Sequence, residues 1–317
     1  MFLKHLINPK PTIILFFIVF CIVFSCIPLL QFPIQEVFYH EWASPFIVLL
    51  LGVLIPSFHA LGLNNLIYEK NIIRKENLIL GFVYLLICTP FINTLTEWFV
   101  SFLLLFFLNY IFESYQKEYP FSQIFNAVFI LSILSFIFPN LLYLVLLIII
   151  SGINYSNLNR SNLSVSCIGL ITPYFFYFLH TVLFEKVFVF PEFTNLELIN
   201  LPDINSIALP KLIWIFILVI TSFIAFVELF KWLYKKSIRS RKSFLIIFFY
   251  FLLLFILLLF SGLQSWYFLM TPLCIVIGNY FTYTKNRKVA NLLFLLLILS
   301  SFYYKYWIAL EYVNLPH

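Results

Sequence analysis

The sequence predicts an all-α fold: a polytopic transmembrane helical bundle of about eleven spans, with a cytoplasmic N-terminus and an outer C-terminus. Three observations predict it. Of the 317 residues, 63% are hydrophobic and 10% charged, against about 45–50% and 25% in soluble domains. Apolar runs approaching the ~20 residues that a helix needs to cross a bilayer recur along the whole chain. The basic residues fall into alternate loops, as lysine and arginine do when they mark a cytoplasmic face. No loop is long enough to fold alone, so residues 1–317 are expected to form a single integral membrane domain without a soluble domain.

The first apolar segment runs about Thr12–Leu30. Its basic flank resembles that of a signal peptide, but the run is longer than a signal core, so a spanning helix is expected. The loop QFPIQEVFYHEWASP leads to the second segment, about Phe46–Leu63, and NNLIYEKNIIRKEN to the third, about Leu78–Ile92. The turn NTLTE opens the fourth, about Trp98–Phe112, and ESYQKEYP precedes the fifth, about Phe121–Phe138. The sixth, about Leu141–Ile153, follows a hinge at Pro139-Asn140. The polar stretch NYSNLNRSNLS enters the seventh, about Val165–Phe184, and the longest loop, from Glu185 to Ala208, precedes the eighth, about Leu212–Leu229. The ninth to eleventh are about Phe244–Ser261, Trp266–Tyr283 and Asn291–Leu310. Pro56, Pro90, Pro173 and Pro272 fall inside segments, the last three after a Thr whose hydroxyl can satisfy backbone that proline frees.

Charge fixes the register. The run Lys231–Lys242 carries six basic residues and no acid between two apolar segments, and it anchors the cytoplasmic side. Alternating sides from there places 16 of the 19 Lys and Arg inside, leaving Lys186, Lys211 and Lys305 outside. Eight of the 13 acids fall outside. Five Trp (Trp42, Trp98, Trp214, Trp266, Trp307) lie at outer segment ends and Trp232 at an inner one, where an interfacial belt is expected. The net charge of +6 is spread over short loops, which excludes a nucleic-acid partner. The five Cys all lie in apolar segments without a CxxC pair, so neither disulfides nor a metal site is expected. No nucleotide-binding glycine loop or fixed-period repeat is present, and no cofactor is expected.

Ionisable side chains are sparse in the predicted membrane interior: Glu228 and Lys231 can pair near an inner end, and His59 and Glu113 lie near others. The outer face is richer. Glu36, His40 and Glu41 share the first outer loop, and Glu97 follows Asn93, Thr94 and Thr96 in the next. His180 and Lys186 end the seventh segment, and Lys305 sits among Tyr303, Tyr304, Tyr306 and Trp307. If these ends converge, Glu41, with Glu36 and Glu97 behind it, is the candidate catalytic base on an acceptor hydroxyl. His40, His180, Lys186, Lys305 and Trp307 are then candidate substrate-binding residues, the lysines taking the phosphate of a lipid-linked donor. The bland alternative is a wet rim of solvated acids, snorkelling lysines and belt aromatics. All five Arg are inside, so an outer phosphate site lacks the usual planar clamp.

The order NNLIYEKNIIRKENLILGFVY, YPFSQIFNAVFILSILSFIFPNLLYLVLLIIISGI, IGLITPYFFYFLH and MTPLCIVIGNYF resembles an uncharacterised family of polytopic inner-membrane proteins of Bacteroidota. The resemblance implies a multi-pass protein of the bacterial inner (plasma) membrane and carries no assigned activity. The hairpin around Pro139-Asn140 is similar to one in integral-membrane glycosyltransferases that use polyprenyl-phosphate sugars. Here the first outer loop, where those enzymes hold a catalytic acid pair, has only about fifteen residues. The functional expectation is an envelope protein acting on or handling a lipid-linked, glycosyl-type substrate at the outer leaflet. The alternative is a non-enzymatic scaffold with membrane-protein partners, or a secondary transporter. The lipid bilayer is a partner in every case.

Overall fold

The computed structural model describes residues 2–31, 45–88, 95–191, 193, 208–261 and 266–313. It is all-α among these residues. In chain order the helices are α1 (Phe2–His5), α2 (Pro11–Gln31), α3 (Pro45–Glu69), α4 (Ile79–Cys88), α5 (Leu95–Glu113) and α6 (Phe121–Leu134). A 3-10 turn over Pro139–Leu144 leads into α7 (Val145–Tyr155). Then come α8 (Arg160–Leu183), α9 (Leu209–Leu233), α10 (Ile238–Ser261), α11 (Trp266–Tyr283) and α12 (Arg287–Val313). Each of the eleven expected apolar segments overlaps a helix among the described residues. Among the described residues six helices are long and apolar enough to cross a membrane: those over Leu50–Glu69, Leu95–Glu113, Arg160–Leu183, Leu209–Leu233, Ile238–Phe260 and Arg287–Trp307. Large apolar side chains are exposed along them, among them Phe176, Phe216, Phe223 and Leu292. Water would penalise such a surface at about 25 cal/mol per Å² of apolar area, and lipid does not.

Several helices run beyond their apolar segments. α3 continues to Glu69, α8 begins at Arg160, α10 at Ile238 and α12 at Arg287. Hydropathy marks the stretch that lipid favours, whereas a helix goes on until its backbone is capped. At α8 the cap is Asn159, whose side-chain oxygen accepts from Asn162 N–H at 2.8 Å. The chain bends at Pro139 as expected, where the 3-10 turn starts. By contrast, the Thr271 hydroxyl before Pro272 bonds His59 Nε2 and Ser101 Oγ, and the Thr172 hydroxyl donates to the Ile168 carbonyl at 2.6 Å, not to the Gly169 carbonyl that Pro173 frees. Pro90 lies outside the described residues.

The chain divides into two compact units. Unit 1 comprises Met1–Phe102, Asn200–Lys236 and Met270–His317; unit 2 comprises Leu103–Ile199 and Ser237–Leu269. In unit 1, α2, α3 and α4 pack together and α12 packs on α9, α2 and α4. α4 is the centre of this unit, and all ten of its residues are buried. Gly81 lets the neighbours close in: a Cβ there would lie 2.5 Å from Asn64 Nδ2, 2.6 Å from Phe17 Cζ and 3.0 Å from the Ala60 carbonyl oxygen. In unit 2, α6 packs most extensively on α8, and α10 on α7 and the 3-10 turn. Ser132 donates to the Leu170 carbonyl at 2.6 Å, and Ser135 shares a 2.5 Å hydrogen bond with the Tyr174 hydroxyl. Asn154 donates to the Lys242 carbonyl at 2.8 Å.

Trp98 and Trp214 depart from the expected belt. Both are buried inside unit 1, and the Trp214 ring lies 5.6 Å from that of Tyr304. Position at a segment end does not tell which side of a helix meets lipid, and these two rings face protein.

Candidate functional site: a basic cavity in unit 1

The N-terminal segment is strapped down. Leu3 and Leu6 are buried, Leu78 N–H donates to the Leu6 carbonyl at 2.9 Å, and Asn8 N–H to the Glu76 carbonyl at 2.9 Å. Ile7 and Asn77 form an isolated antiparallel bridge. Asn8 has φ 51°, in the left-handed region that asparagine tolerates, and this turns the chain toward α2. The loop between α3 and α4 is fixed on its other side as well. Ile72 N–H and Ile73 N–H donate to the Ile67 carbonyl at 3.1 and 3.3 Å, closing α3, while Ile72 and Ile73 are buried. Asn77 Oδ1 accepts from Ile79 N–H at 3.1 Å and Leu80 N–H at 3.4 Å, which caps α4.

The C-terminal end of α11 collects cations. Arg287 donates from Nη1 to the Phe281 carbonyl at 3.4 Å and from Nη2 to the Thr282 carbonyl at 3.5 Å. Carbonyls left over at a helix end, and the negative pole of its dipole, favour such a group. Tyr283 follows directly. Its hydroxyl accepts from Arg74 N–H at 3.1 Å. Lys236 Nζ lies 3.6 Å from the ring centroid and Lys75 Nζ lies 5.1 Å from it, both within cation–π range. Lys236 also donates to Asn279 Oδ1 at 3.1 Å.

Between the strapped N-terminus and α12 lies a cavity of about 510 Å³. Its lining is Leu3, Lys4, Ile7, Asn8, Lys75, Arg287, Lys288 and Asn291. Four of these eight are cations, and none is a carboxylate. Asn291 Oδ1 is buried there without a hydrogen-bond donor among the described residues. Lys75 belongs to both the cavity and the Tyr283 cluster. The crowding shows in Lys236, outside the spanning segments, whose ammonium is pulled down to about 8 by burial and then by the charges of Lys75 and Arg74. A negative charge beside these cations would offset their mutual repulsion.

A second polar group lies deep in unit 1. His59 is fully buried and stacks on Tyr84 with ring centroids 4.1 Å apart. Its Nε2 is 3.4 Å from the Thr271 hydroxyl, which is 3.4 Å from that of Ser101.

Of the residues singled out on the outer side, Glu97, Lys305 and Trp307 belong to unit 1 and His180 and Lys186 to unit 2. Glu36, His40 and Glu41 lie outside the described residues. Glu97 sits in the first turn of α5, 5% exposed, and its Oε2 has no hydrogen-bond partner among the described residues. Lys305 is 2% exposed; it donates to the Phe24 carbonyl and lies 3.7 Å from the Phe24 ring centroid. It is spent on joining α12 to α2. Trp307 is half-buried on α12. His180 and Lys186 are both exposed in unit 2, His180 4.6 Å from the Phe184 ring and Lys186 N–H donating to the Thr181 carbonyl at 2.9 Å. Glu228 meets the Thr284 hydroxyl and the charge of Lys231.

The cavity was missed in the sequence although its charges were counted. Lys4, Lys75, Arg287 and Lys288 were all placed on the cytoplasmic side, as topology signals. Only the strap from residues 6–8 to 76–78 and the turn after α11 bring them together. Among the described residues no group of three or more His, Cys, Asp or Glu could hold a metal ion. Compared with protein-family models, curated proteins and solved structures, the chain matches none.

Proposed function

We propose that the chain is a multi-pass protein of a bacterial inner membrane, of about eleven spans with the N-terminus inside, that binds and handles an anionic, lipid-linked amphiphile. The supporting observation is the cavity of about 510 Å³ that sets Leu3 and Ile7 beside Lys4, Lys75, Arg287 and Lys288 with no carboxylate in its lining. Apolar walls take a chain, and clustered cations take a phosphate. With the charge segregation, the cavity opens toward the cytoplasmic leaflet. Handling at the outer leaflet, with Glu41, Glu36 and Glu97 as bases, remains a proposal that rests on sequence alone.

Each lysine near an anionic headgroup contributes about 1 kcal/mol, so three contribute about 3 kcal/mol, or about 100-fold in affinity. The test compares the full chain with Lys4→Gln/Lys75→Gln/Lys288→Gln in detergent, measuring thermal stability against added phosphatidylglycerol or phosphatidylcholine. Phosphatidylglycerol should stabilise the parent chain, and the triple variant should need about 100-fold more of it. Equal stabilisation by both lipids, or an unchanged triple variant, would sink the proposal. Orientation is checked by an impermeant thiol reagent on chains without native Cys. A cysteine in place of Lys186 should react in intact cells, and one in place of Lys235 only after permeabilisation; the reverse pattern inverts the topology.

A further inference from the structure

We infer that unit 2 binds a monovalent cation of sodium's size, in a small cavity of about 20 Å³ lined by Ser114, Ser151, Asn162 and Ser166. All four residues belong to that unit. The polar stretch between α7 and α8 folds tightly around the cavity. Ser156 ends α7 with φ 60°, and Asn157 N–H and Leu158 N–H both donate to the Gly152 carbonyl, at 3.0 and 3.2 Å. Asn157 Nδ2 donates to the Ser114 carbonyl at 3.1 Å, which joins this turn to the end of α5. Asn162 Nδ2 donates to the Asn157 carbonyl at 2.6 Å, which ties the first turn of α8 to it as well.

The lining offers oxygen lone pairs. A hydroxyl has one hydrogen to give. Ser114 gives its own to the Ile111 carbonyl at 2.7 Å, Ser151 to the Ile148 carbonyl at 2.8 Å and Ser166 to the Asn162 carbonyl at 2.9 Å. Asn162 is 2% exposed, and its Oδ1 is buried without a donor among the described residues. Four neutral oxygens therefore line a space for one water-sized particle, which needs about 10–15 Å³. A water can satisfy only two of them with its hydrogens, whereas a hard cation takes lone pairs from every side. Neither a carboxylate nor a basic side chain lines the cavity, so one positive charge suits it better than two. The backbone agrees. α5 and α7 both end there with the negative poles of their dipoles, against the single positive pole of α8. Helix C-terminal ends of this kind coordinate sodium in membrane carriers.

The test is thermal unfolding of the full chain in detergent with sodium, potassium, choline or calcium chloride at equal ionic strength, alongside the linewidth of the sodium magnetic resonance. Sodium should raise the unfolding temperature saturably above its value in choline. Potassium and calcium should raise it less, and the chain should broaden the sodium resonance. Ser151→Ala/Ser166→Ala removes two of the oxygens and leaves the bonds of Asn157 and Asn162 in place. This variant should need at least about tenfold more sodium for the same shift. Ser166→Asp adds a carboxylate to the lining and should make calcium the better stabiliser. Equal unfolding in sodium and choline, without broadening, means that only a water fills the cavity and overturns the inference. A double alanine variant with the parent's sodium response, or a Ser166→Asp variant with the parent's calcium response, places the cation elsewhere and overturns it too. A parent chain stabilised more by calcium than by sodium overturns the single charge.

Discussion

Lys236 shows how a single residue reports on its surroundings. Its side chain lies over Tyr283 and donates to Asn279, yet burial and the charges of Lys75 and Arg74 hold its ammonium at about 8, below the ordinary 10.5. The unfolded chain keeps that proton up to about 10.5, and the folded chain releases it near 8. Between those values the unfolded state binds more protons, so stability rises with pH across the window, and below it the charge is a standing cost. Lys236→Met should flatten that rise in thermal unfolding measured from pH 7.5 to 10. An unchanged pH profile in the variant would place the titration elsewhere. Lys305 makes the contrasting point. As a basic residue among aromatics near a segment end it looked available to a ligand, but its ammonium is committed to Phe24. Residue type gave its charge and could not give its partner.

At the scale of elements, α4 governs unit 1. It is short, apolar on every side and buried along its length, and Asn77 and Asn64 serve its first turns: Asn64 Oδ1 accepts from Gly81 N–H at 3.1 Å. Gly81→Ala should therefore destabilise the chain by about 1–3 kcal/mol through overpacking against α2 and α3. Thermal unfolding in detergent measures it, and an alanine variant as stable as the parent would mean that the three helices are further apart than described. The helices themselves were legible in the sequence, since every expected segment overlaps a helix among the described residues. Their ends were not, because a run such as Ile238–Lys242 is too polar for lipid and still helical. Pro139 was readable as a hinge because proline acts through local sterics. The burial of Trp98 and Trp214 was not, because it depends on which neighbours α5 and α9 acquire.

For the whole molecule, composition alone fixed lipid as the solvent, and the exposed phenylalanines and leucines of the long helices agree with it. Charge distribution added a side for each loop, and with it the expectation that the chemistry lies outside. The structure draws attention to the opposite end of unit 1, where loops distant in sequence converge on α11 and α12. Each contributing loop carried an ordinary topology signal, and the strap from Leu6 to Leu78 that turns them into a cavity has no sequence signature. The anionic amphiphile proposed for this cavity should be directly visible. The most direct measurement is an electron cryomicroscopy map of the full chain in nanodiscs containing an anionic phospholipid. Headgroup density is expected against Lys4, Lys75 and Lys288, with a chain leaving past Leu3 and Ile7. Ordered lipid elsewhere on the chain, with only solvent between those three lysines, would contradict it.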